Sequence, residues 1–461
     1  MDYIENRTFD EIAPGDNASL TRTLTPQDIQ LFAVISGDVN PAHVDAEYAR
    51  GTRFHEVVAH GMWGGALIST VLGTQYPGPG TIYIDQSLHF ARPVTIGDTV
   101  TVTVTVREKF ERSRHVVFDC RCVNQDGVVV ITGTAEVLAP ETKVRRPRVV
   151  LPEIRLHDHN ARHRKLLAMS AGLQPIRVAV VHPCDPGSLG GALAAAQAGL
   201  IVPVLVGPEH KIRAVAAEIG ADLSGIELIS TEHSHAAAEA AVRLVREDKA
   251  DALMKGSLHT DELMSEVVSS TSGLRTGRRI SHVFMMDVPS YPKPLFITDA
   301  AINIEPDLET KRDIVQNAID LARTLGIAEP KVAILSAVET VTPKLRSTVD
   351  AAALCKMADR GQITGGVLDG PLAFDNAISP LAAKTKEIVS AVAGQADILV
   401  VPDIESGNMV AKQLEYLAEG QTAGVVLGAR VPIVLTSRAD GVQSRVASCA
   451  IALLMARKAA V

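Results

Sequence analysis

An aspartate and a histidine five residues apart, Asp38 and His43, are the pair in this chain best placed to do chemistry together. They flank Asn40-Pro41, where the proline fixes its own φ and pushes the residue before it out of the helical region. The turn between the acid and the imidazole is therefore stiff. A carboxylate and an imidazole held near one reacting centre can move a proton to or from a water molecule.

A second group of candidate residues lies in the carboxyl-terminal half, at the ends of apolar runs that are typical of strands. Lys255 precedes Gly256, and a strand that turns on glycine into a helix can present N–H groups to a phosphate. Arg438 comes shortly after the run Pro432–Thr436, and arginine binds phosphate through paired donors. Taken singly, Lys255 also fits a surface lysine and Arg275 a solvated basic loop, so spacing alone leaves these roles open.

Composition narrows the class of protein. The 461 residues predict two or three domains, and aromatics at 3% among many small and aliphatic residues favour helices packed on parallel sheets. The net charge of −8 argues against a nucleic-acid partner. The five cysteines form no CxxC, so we expect neither structural disulfides nor a metal site. The start does not resemble a signal peptide and no apolar run is long enough to span a bilayer, which predicts a cytoplasmic protein without a membrane partner.

The first 140 residues predict a small α+β domain. Helical patterns cover Thr25–Ile35 and about Gly61–Leu72, and the second has so few polar residues that we expect it to be buried nearly all round. Residues Thr99–Val106 alternate between threonine and valine, which indicates a strand with one buried face. A hairpin is predicted at Asn124-Gln125-Asp126-Gly127.

From Ile176 onward, strand patterns alternate with alanine-rich helical patterns, which indicates βαβ units and largely parallel sheets. Eleven strands over this length predict two α/β subdomains with a cleft between them, and ligands in such folds bind beyond the carboxyl ends of strands. The predicted strands are Val178–Val181, Val202–Val206, Ile226–Ile229, Ala252–Lys255, Val283–Met286, Leu295–Thr298, Val332–Ser336, Gly366–Leu368, Ile398–Val401, Gly424–Leu427 and Pro432–Thr436.

The amino-terminal segments resemble the MaoC-like (R)-specific enoyl-CoA hydratases, a branch of the hotdog fold. The resemblance covers Gly37–His43, the helix start His60-Gly61-Met62, Tyr83–Phe90, Arg92-Pro93-Val94 and Gly97-Asp98, in the order of that family. It implies that Asp38 and His43 share a catalytic water and that the N–H of Gly61 stabilises the thioester oxygen. It also implies supporting or substrate-binding roles for Ser36, Asn40 and His60.

The remaining segments resemble the phosphate acetyl/butyryltransferases over nearly all of residues 160–461. The segments that carry this resemblance are Leu253–Thr260, Gly273–Val283, Thr298–Pro306, Leu368–Ala377, Val401–Met409 and Pro432–Asp440. The fold implied is an α/β two-subdomain phosphate acyltransferase, similar to isocitrate/isopropylmalate dehydrogenase. The resemblance implies catalytic roles for Ser437 and Arg438. The substrate-binding residues it implies are Lys255, Arg275, Asp369, Gly407, Asn408 and Asp440.

One position departs from the acetyl-specific branch, which carries an aspartate base six residues after its arginine. Ser444 occupies that position here, and the segment Ser437–Asp440 looks like the butyryl branch, so the base is undefined and a chain other than acetyl is favoured. The domains expected are 1–140, a linker 141–164, and 165–461. Within the last of these, one subdomain covers about 165–288 plus 437–461 and the other about 289–436.

The sequence therefore predicts a fusion of two acyl-CoA enzymes: one hydrates trans-2-enoyl-CoA, and the other exchanges the CoA of an acyl thioester for phosphate. CoA thioesters and inorganic phosphate are expected as substrates, with no bound cofactor. By analogy with the hotdog family, a homo-oligomer of at least two chains is expected. A thioesterase and an acyl-CoA-binding protein with one decayed site remain alternatives. A dinucleotide-binding domain is disfavoured because the Gly-x-Gly-x-x-Gly spacing is absent.

Overall fold

The computed structural model describes residues 3–152, 154, 156, 161–437 and 440–459. It consists of two compact units, Met1–His157 and Asp158–Val461. Inside the predicted linker 141–164, Arg145–Pro147 pairs with Tyr3–Glu5, so part of that stretch belongs to the first unit. The predicted boundaries themselves stay predictions.

The first unit begins with the short strand β1 (Tyr3–Glu5), a 3-10 turn (Phe9–Glu11) and β2 (Asn17–Thr23). Its helices are α1 (Pro26–Ser36), α2 (Pro41–Val44), α3 (Ala46–Arg50) and α4 (Gly61–Thr74). The later strands are β3 (Ile82–Phe90), β4 (Thr99–Phe110), β5 (His115–Val123), β6 (Val129–Leu138) and β7 (Arg145–Pro147).

A five-stranded antiparallel sheet in the order β2-β4-β5-β6-β3 packs on α4, which is the predicted hotdog arrangement. The valines of the repeat in β4 are buried and the threonines between them are half-buried, as the threonine–valine repeat predicts. The prediction that α4 is buried all round is wrong. Met62, Ala66 and Ser69 are exposed on the described chain because the sheet covers only one side of the helix.

The second unit contains eleven strands and eleven helices among its described residues. The strands are β8 (Ile176–Val181), β9 (Ile201–Gly207), β10 (Glu227–Ser230), β11 (Ala252–Lys255), β12 (Ser281–Asp287), β13 (Leu295–Thr298), β14 (Lys331–Leu335), β15 (Val367–Leu372), β16 (Ile398–Val400), β17 (Gln421–Leu427) and β18 (Ile433–Val434). The helices are α5 (Ala161–Ser170), α6 (Pro186–Gln197), α7 (Glu209–Glu218), α8 (Ser234–Arg246), α9 (Thr260–Val267), α10 (Leu308–Thr324), α11 (Arg346–Asp359), α12 (Phe374–Ile378), α13 (Pro380–Thr385), α14 (Ile404–Leu417) and α15 (Val442–Ala459).

All eleven strands join one sheet in the order β10-β9-β8-β11-β18-β17-β12-β13-β16-β14-β15. Every strand predicted from the sequence is present. Most pairs are parallel, but β12 and β17 are antiparallel to both of their neighbours. As a consequence, the parallel blocks at the two ends of the sheet run in opposite directions. Both predicted subdomains contribute strands to this one sheet, in which β17 and β18 lie between β11 and β12. The predicted subdomain boundaries stay predictions.

The five cysteines are free thiols, as expected from their spacing. Burial raises the pKa of Cys120 to about 11 and that of Cys122 to about 12. Both lie on the buried face of β5, so packing accounts for them. Within the described residues, no helix combines the length and the apolar character needed to cross a bilayer.

Candidate functional site

The turn that carries Asp38 is fixed by local hydrogen bonds. Helix α1 ends at Gly37, whose φ of 74° is a left-handed conformation that suits glycine. Asn40 has ψ of 125°, outside the helical region as the following Pro41 requires, and its side chain caps α2. Its N–H donates to Asp38 Oδ1 over 3.2 Å, and the Ser36 hydroxyl accepts from the Asp38 N–H over 3.2 Å. The Ser36 side chain therefore holds the main chain of Asp38, and the main chain of Asn40 holds its carboxylate.

Asp38, His43 and His60 converge: one potential ligand atom of each lies within 4.8 Å of the others. His43 Nδ1 donates to the carbonyl oxygen of Val58 over 2.7 Å, which leaves its Nε2 to accept a proton. His60 Nε2 donates to the Asp38 carbonyl oxygen over 3.0 Å, and the two imidazoles stack with centroids 4.1 Å apart. His60 is almost fully buried, and its Nδ1 has no partner among the described residues.

A cavity of about 280 Å³ adjoins this cluster. It is lined by His43, His60 and Gly61 together with apolar side chains such as Trp63 and Ile131. Gly61 is the first residue of α4, so its N–H has no partner within the helix and carries the positive end of the helix dipole. A side chain at Gly61 would lie 3.0 Å from the Phe90 ring, so only glycine leaves this approach open.

Two imidazoles and a carboxylate are also a donor set that metal ions accept. In each histidine one ring nitrogen donates its N–H to a carbonyl oxygen, which leaves the second nitrogen for a ligand. Metal-bound histidines commonly show this arrangement. The absence of a metal expected from the sequence therefore stays a prediction. Sequence reasoning missed Arg53 and Arg92, which are exposed and line the cavity. Arg92 belongs to a segment already singled out, Arg92-Pro93-Val94, but was given no role there, and the one signal at Arg53 was its basic character.

In the second unit a larger cavity of about 840 Å³ collects several of the predicted residues. Lys255, Asn408 and Ser437 all line it, together with Lys412, which sequence reasoning did not identify. Lys255 ends β11, which lies beside β8 where the chain order of the sheet reverses. Such reversal points form ligand crevices in α/β sheets.

Helix N-termini add positive potential to this cavity. His259 and Thr260 at the start of α9, and Ile404 at the start of α14, line its wall. The first N–H groups of a helix have no partner within it and favour anions. In α14 the Ile404 N–H already donates to the Ile304 carbonyl oxygen and the Ser406 N–H to Asp403, so α9 offers the more open N-terminus. Lys255 is buried and its Nζ donates to the Gly256 carbonyl oxygen over 3.4 Å, whereas Lys412 is half-exposed and pairs with Glu415 over 2.7 Å. The cavity is therefore suited to an anionic ligand.

Ser437 lies in a loop that two buried charged side chains hold in place. Its N–H donates to Asp440 Oδ2 over 2.7 Å, and its carbonyl oxygen accepts from Arg445 over 3.1 Å. Burial raises the pKa of Asp440, whose Oδ1 has no partner among the described residues. Arg438 lies outside the described residues, so its catalytic role stays a prediction.

Four predicted substrate-binding residues do not line this cavity. Asp440 is one of them, although it accepts the Ser437 N–H. Asp369 lies on β15 at the far edge of the sheet and accepts from Gly370 N–H. Arg275 lines a different cavity of about 460 Å³. The sequence placed Gly407 at the start of a helix, but α14 begins at Ile404 and the Gly407 N–H already donates to Asp403.

Close packing explains why a glycine occupies position 407. An added Cβ would lie 2.7 Å from the Val401 side chain and 2.9 Å from the Asp299 carbonyl oxygen. Ser444, at the position of the base in the acetyl branch, lines a separate cavity of about 330 Å³ together with Arg162 and Asp287. A missing carboxylate at Ser444 therefore removes no group from the lining of the Ser437 cavity.

Asp299 and Arg445 are the site-supporting residues that sequence reasoning missed. Asp299 is buried and accepts the N–H groups of Ala301, Ile302 and Asn303, which shapes a turn in the wall of the larger cavity. The available signal was Thr298-Asp299 at a strand end, which was noted without a role.

Comparison with known proteins agrees with this division. The family model "Phosphate acetyl/butaryl transferase" matches residues 234–453, and the model "MaoC like domain" matches residues 11–122. A phosphate acetyltransferase from Rhizobium meliloti is 64% identical over 298 residues, which cover 65% of this chain and 94% of that protein.

Two solved structures are also similar. A branched-chain phosphotransacylase from Enterococcus faecalis V583 is 30% identical with a TM-score of 0.52, over 61% of this chain and 99% of that one. The unliganded R-hydratase PhaJ1 from Pseudomonas aeruginosa is 44% identical with a TM-score of 0.33, over 34% of this chain and 100% of that one.

The second unit thus has the fold of a phosphate acyltransferase, and the first is a hotdog domain. The chain belongs to the phosphate acetyl/butyryltransferase family and carries a MaoC-like domain ahead of the transferase domain.

Proposed function

We propose that the first unit adds water to trans-2-enoyl-CoA to form (R)-3-hydroxyacyl-CoA. The observation that carries this proposal is the convergence of Asp38, His43 and His60 within 4.8 Å beside the N-terminus of α4. Asp38 and His43 bind one water molecule between them. The water oxygen bonds to the β-carbon, one of the pair takes its proton, and a proton is delivered to the α-carbon. The N–H of Gly61 stabilises the negative charge on the thioester oxygen.

The test is the loss of absorbance of crotonyl-CoA. Asp38→Asn should reduce this rate by at least 100-fold, because a neutral amide cannot accept the proton. The matched control is Asp45→Asn, on the same segment, because Asp45 caps α3 and asparagine caps equally well. A control that loses activity together with Asp38→Asn would contradict the assignment. The rate should also survive chelation by EDTA, whereas its loss would favour a metal held by the same three side chains.

We propose that the second unit transfers an acyl group between CoA and inorganic phosphate. The observation that carries this proposal is the cavity in which Ser437 and Lys255 meet the N-termini of α9 and α14. A phosphate oxygen bonds to the thioester carbonyl carbon, and the C–S bond then breaks to release CoA thiolate. Positive groups hold the phosphate, while Ser437 donates to the carbonyl oxygen or to the departing sulfur. Arg438 is expected to bind the phosphate as well.

The test is phosphate-dependent release of free thiol from butyryl-CoA and acetyl-CoA. Ser437→Ala should lower kcat by about 100-fold, since it removes one donor to a developing charge. Ser444→Ala is the matched control because Ser444 lines a different cavity, and it should retain activity. Comparing the two thioesters also tests the preference for a chain other than acetyl. Equal losses in both variants would place the reaction elsewhere.

A second copy of this chain is the proposed partner of the first unit. Strand β3 ends the five-stranded sheet, and Ile82, Ile84 and Phe90 on it are exposed. An apolar, unpaired strand edge is suited to pairing with another chain. Ile84→Lys should shift the sedimentation coefficient toward that of a monomer. Ile96→Lys, at an exposed position off this strand, should not. The cytoplasmic location and the lack of a bound cofactor stay predictions.

A further inference from the structure

The cavity of about 330 Å³ that Ser444 lines is separate from the Ser437 cavity, and the described residues that line the two do not overlap. Its wall is formed by the first turn of α15, the start of α5, the end of β12 and the start of β17. We call it the α15 cavity. Small-molecule sites span roughly 300–1,000 Å³, whereas one water takes about 30 Å³, so the α15 cavity has room for a small metabolite.

Asp287, the last residue of β12, brings an unsatisfied acceptor to the α15 cavity. Its side chain is 8% exposed, and its Oδ1 accepts from the Arg162 guanidinium. Its Oδ2 is buried and has no partner among the described residues. Arg162 is held in turn by the Tyr291 carbonyl oxygen over 2.7 Å. A buried carboxylate oxygen without a donor costs free energy, so this wall favours a ligand that supplies an N–H or O–H group.

Helix α15 brings the opposite preference to the same cavity. Val442, Gln443 and Ser444 are its first three residues, and all of them line the wall. The first N–H groups of a helix have no partner within it, and the dipole of an 18-residue helix adds positive potential there. This part of the wall therefore favours an anionic group.

The charges of the α15 cavity balance. Arg162 and Asp287 are the charged partners among the described residues that line it, and they pair with each other. Burial lowers the pKa of His163, which also lines the cavity, so its imidazole is neutral at pH 7. Leu166 and Met285 add an apolar surface. A ligand matched to this wall carries one positive group, one negative group and an apolar part.

The α15 cavity is connected to the Ser437 loop through the chain itself. Residues 441–444 line the cavity, and the next residue is Arg445. Arg445 donates to the Thr436 hydroxyl over 2.7 Å and to the Ser437 carbonyl oxygen over 3.1 Å. A ligand on the first turn of α15 therefore contacts the segment from which the side chain that holds Ser437 projects.

We infer that the α15 cavity binds a free α-amino acid with an aliphatic side chain, and that its occupancy changes the rate of acyl transfer. The ligand ammonium donates to Asp287 Oδ2, and its carboxylate accepts from the first N–H groups of α15. Its side chain packs against Leu166 and Met285. The effect on the rate rests on the proposed acyl transfer, whereas the binding does not.

The first experiment is a calorimetric titration of the full chain with L-leucine. Two analogues separate the two polar contacts: 4-methylpentanoate lacks the ammonium group, and L-leucinamide lacks the carboxylate. Each should bind about tenfold or more weakly than L-leucine, because each loses a charge-assisted hydrogen bond. No binding of L-leucine would overturn the inference. Equal affinity for 4-methylpentanoate would overturn it as well, since Asp287 would then recognise nothing.

Two variants assign the binding to this cavity. Asp287→Asn should weaken L-leucine binding, but it also leaves the Arg162 guanidinium without its buried partner and so endangers folding. Gln443→Glu avoids this problem, because Gln443 is exposed and an acidic side chain stabilises a helix N-terminus. The new carboxylate should repel that of L-leucine and weaken binding. Gln443→Met is the matched neutral control and should bind as the wild type does. Equal affinity in the wild type and Gln443→Glu would refute the site.

The second experiment measures phosphate-dependent thiol release from butyryl-CoA with and without L-leucine. In the wild type kcat/KM should change by about fivefold or more, as coupled sites typically do, and in Gln443→Glu it should not. Hydration of crotonyl-CoA should not respond. Binding of L-leucine without any effect on thiol release would overturn the coupling to Ser437. A chain that binds L-leucine but releases no thiol under any condition would refute the proposed acyl transfer and leave the amino-acid site supported.

Discussion

Arg445 donates one guanidinium N–H to the carbonyl oxygen of Ser437 over 3.1 Å and another to the hydroxyl of Thr436 over 2.7 Å. The side chain is 3% exposed, so both bonds form away from bulk water. It projects from α15, whereas Ser437 follows β18. The position of the proposed catalytic serine therefore depends on a residue that does not line its cavity.

Replacing Arg445 by lysine should impair acyl transfer without affecting hydration. One ammonium group cannot reach both acceptors with the geometry of the guanidinium fork. We expect kcat to fall by about 10- to 100-fold, as small displacements of a positioned group do, with KM nearly unchanged. Arg457→Lys is the control because Arg457 lies on the same helix and donates to Gln174, near α5. A rise in KM alone would show that Arg445 acts on binding.

Helix α6 offers a paired test of the space that Arg445 occupies. A Cβ at Gly191 would lie 2.3 Å from Arg445 Cδ, whereas a Cβ at Gly190 would meet nothing within 4 Å. Gly191→Ala should destabilise the second unit by about 1–3 kcal/mol through overpacking. Gly190→Ala should stabilise it by about 0.5–1 kcal/mol, because alanine favours the helix. Hydrogen exchange of peptides from the second unit measures both changes. Equal effects would show that the side chain of Arg445 relocates.

Much of this architecture could be predicted from local pattern. The alternation in β4 and the βαβ rhythm after Ile176 follow from periodicity alone, and the stiff turn at Asn40-Pro41 follows from proline geometry. Strand direction did not follow. The pattern that indicates a strand is the same in either direction, so the reversal at β12 and β17 required the tertiary structure.

The sites were predictable to different degrees for a physical reason. Asp38 and His43 are close in sequence, so a local turn brings them together. Ser437 depends on Arg445. The residues around Arg445 on α15 are mostly apolar, so the sequence pattern indicates an ordinary buried helix there and gives no sign of a contact with Ser437. Arg275 stands within a recognised segment, but which cavity it faces depends on how residues 274–280 are bonded to Gly428 and its neighbours.

The folding stability of the second unit should depend on pH because of the buried side chain of His282. It is fully buried on β12, and burial lowers its pKa from 6.5 to about 4. Below about pH 6.5 the unfolded chain binds a proton that the folded chain excludes, so stability falls as the pH decreases toward 4. The expected loss between pH 7 and pH 4.5 is about 2 kcal/mol, since one pKa unit corresponds to about 1.4 kcal/mol and the folded chain is only partly protonated at pH 4.5. Hydrogen exchange of the second unit at pH 7 and pH 4.5 measures it.

The variant His282→Gln should lose this dependence, because glutamine does not titrate. The control is Phe284→Leu. The Phe284 ring centroid lies 4.3 Å from that of His282, so this substitution changes the packing around the imidazole without changing a charge. It should shift stability equally at both pH values. The difference in unfolding free energy between the wild type and His282→Gln should therefore change between pH 7 and pH 4.5. If that difference is the same at both pH values, the buried imidazole accepts its proton without cost.

Asp299 organises a wall shared by the Ser437 cavity and the cavity of about 460 Å³ that Arg275 lines, and its replacement by asparagine should disturb both. One carboxylate oxygen accepts from Ala301 and Ile302 N–H, and the other accepts from the N–H and side-chain amide of Asn303. An asparagine must place its NH₂ against one of these donor pairs, which leaves buried donors unpaired and should cost about 1–3 kcal/mol.

The same substitution should lower acyl transfer, because Ala300 and Ala301 line the Ser437 cavity, and the next two residues line the cavity of about 460 Å³. Asp307→Asn is the control, since Asp307 caps α10 and asparagine is an equivalent cap. Trp63 is the chain's one tryptophan and lies in the first unit, so its fluorescence should report an unchanged first unit in both variants. Burial also raises the pKa of Asp299, so its charge opposes folding while its four hydrogen bonds favour it. If Asp299→Asn proves as stable as the wild type but transfers acyl groups poorly, the carboxylate is retained for the shape of this wall and not for stability.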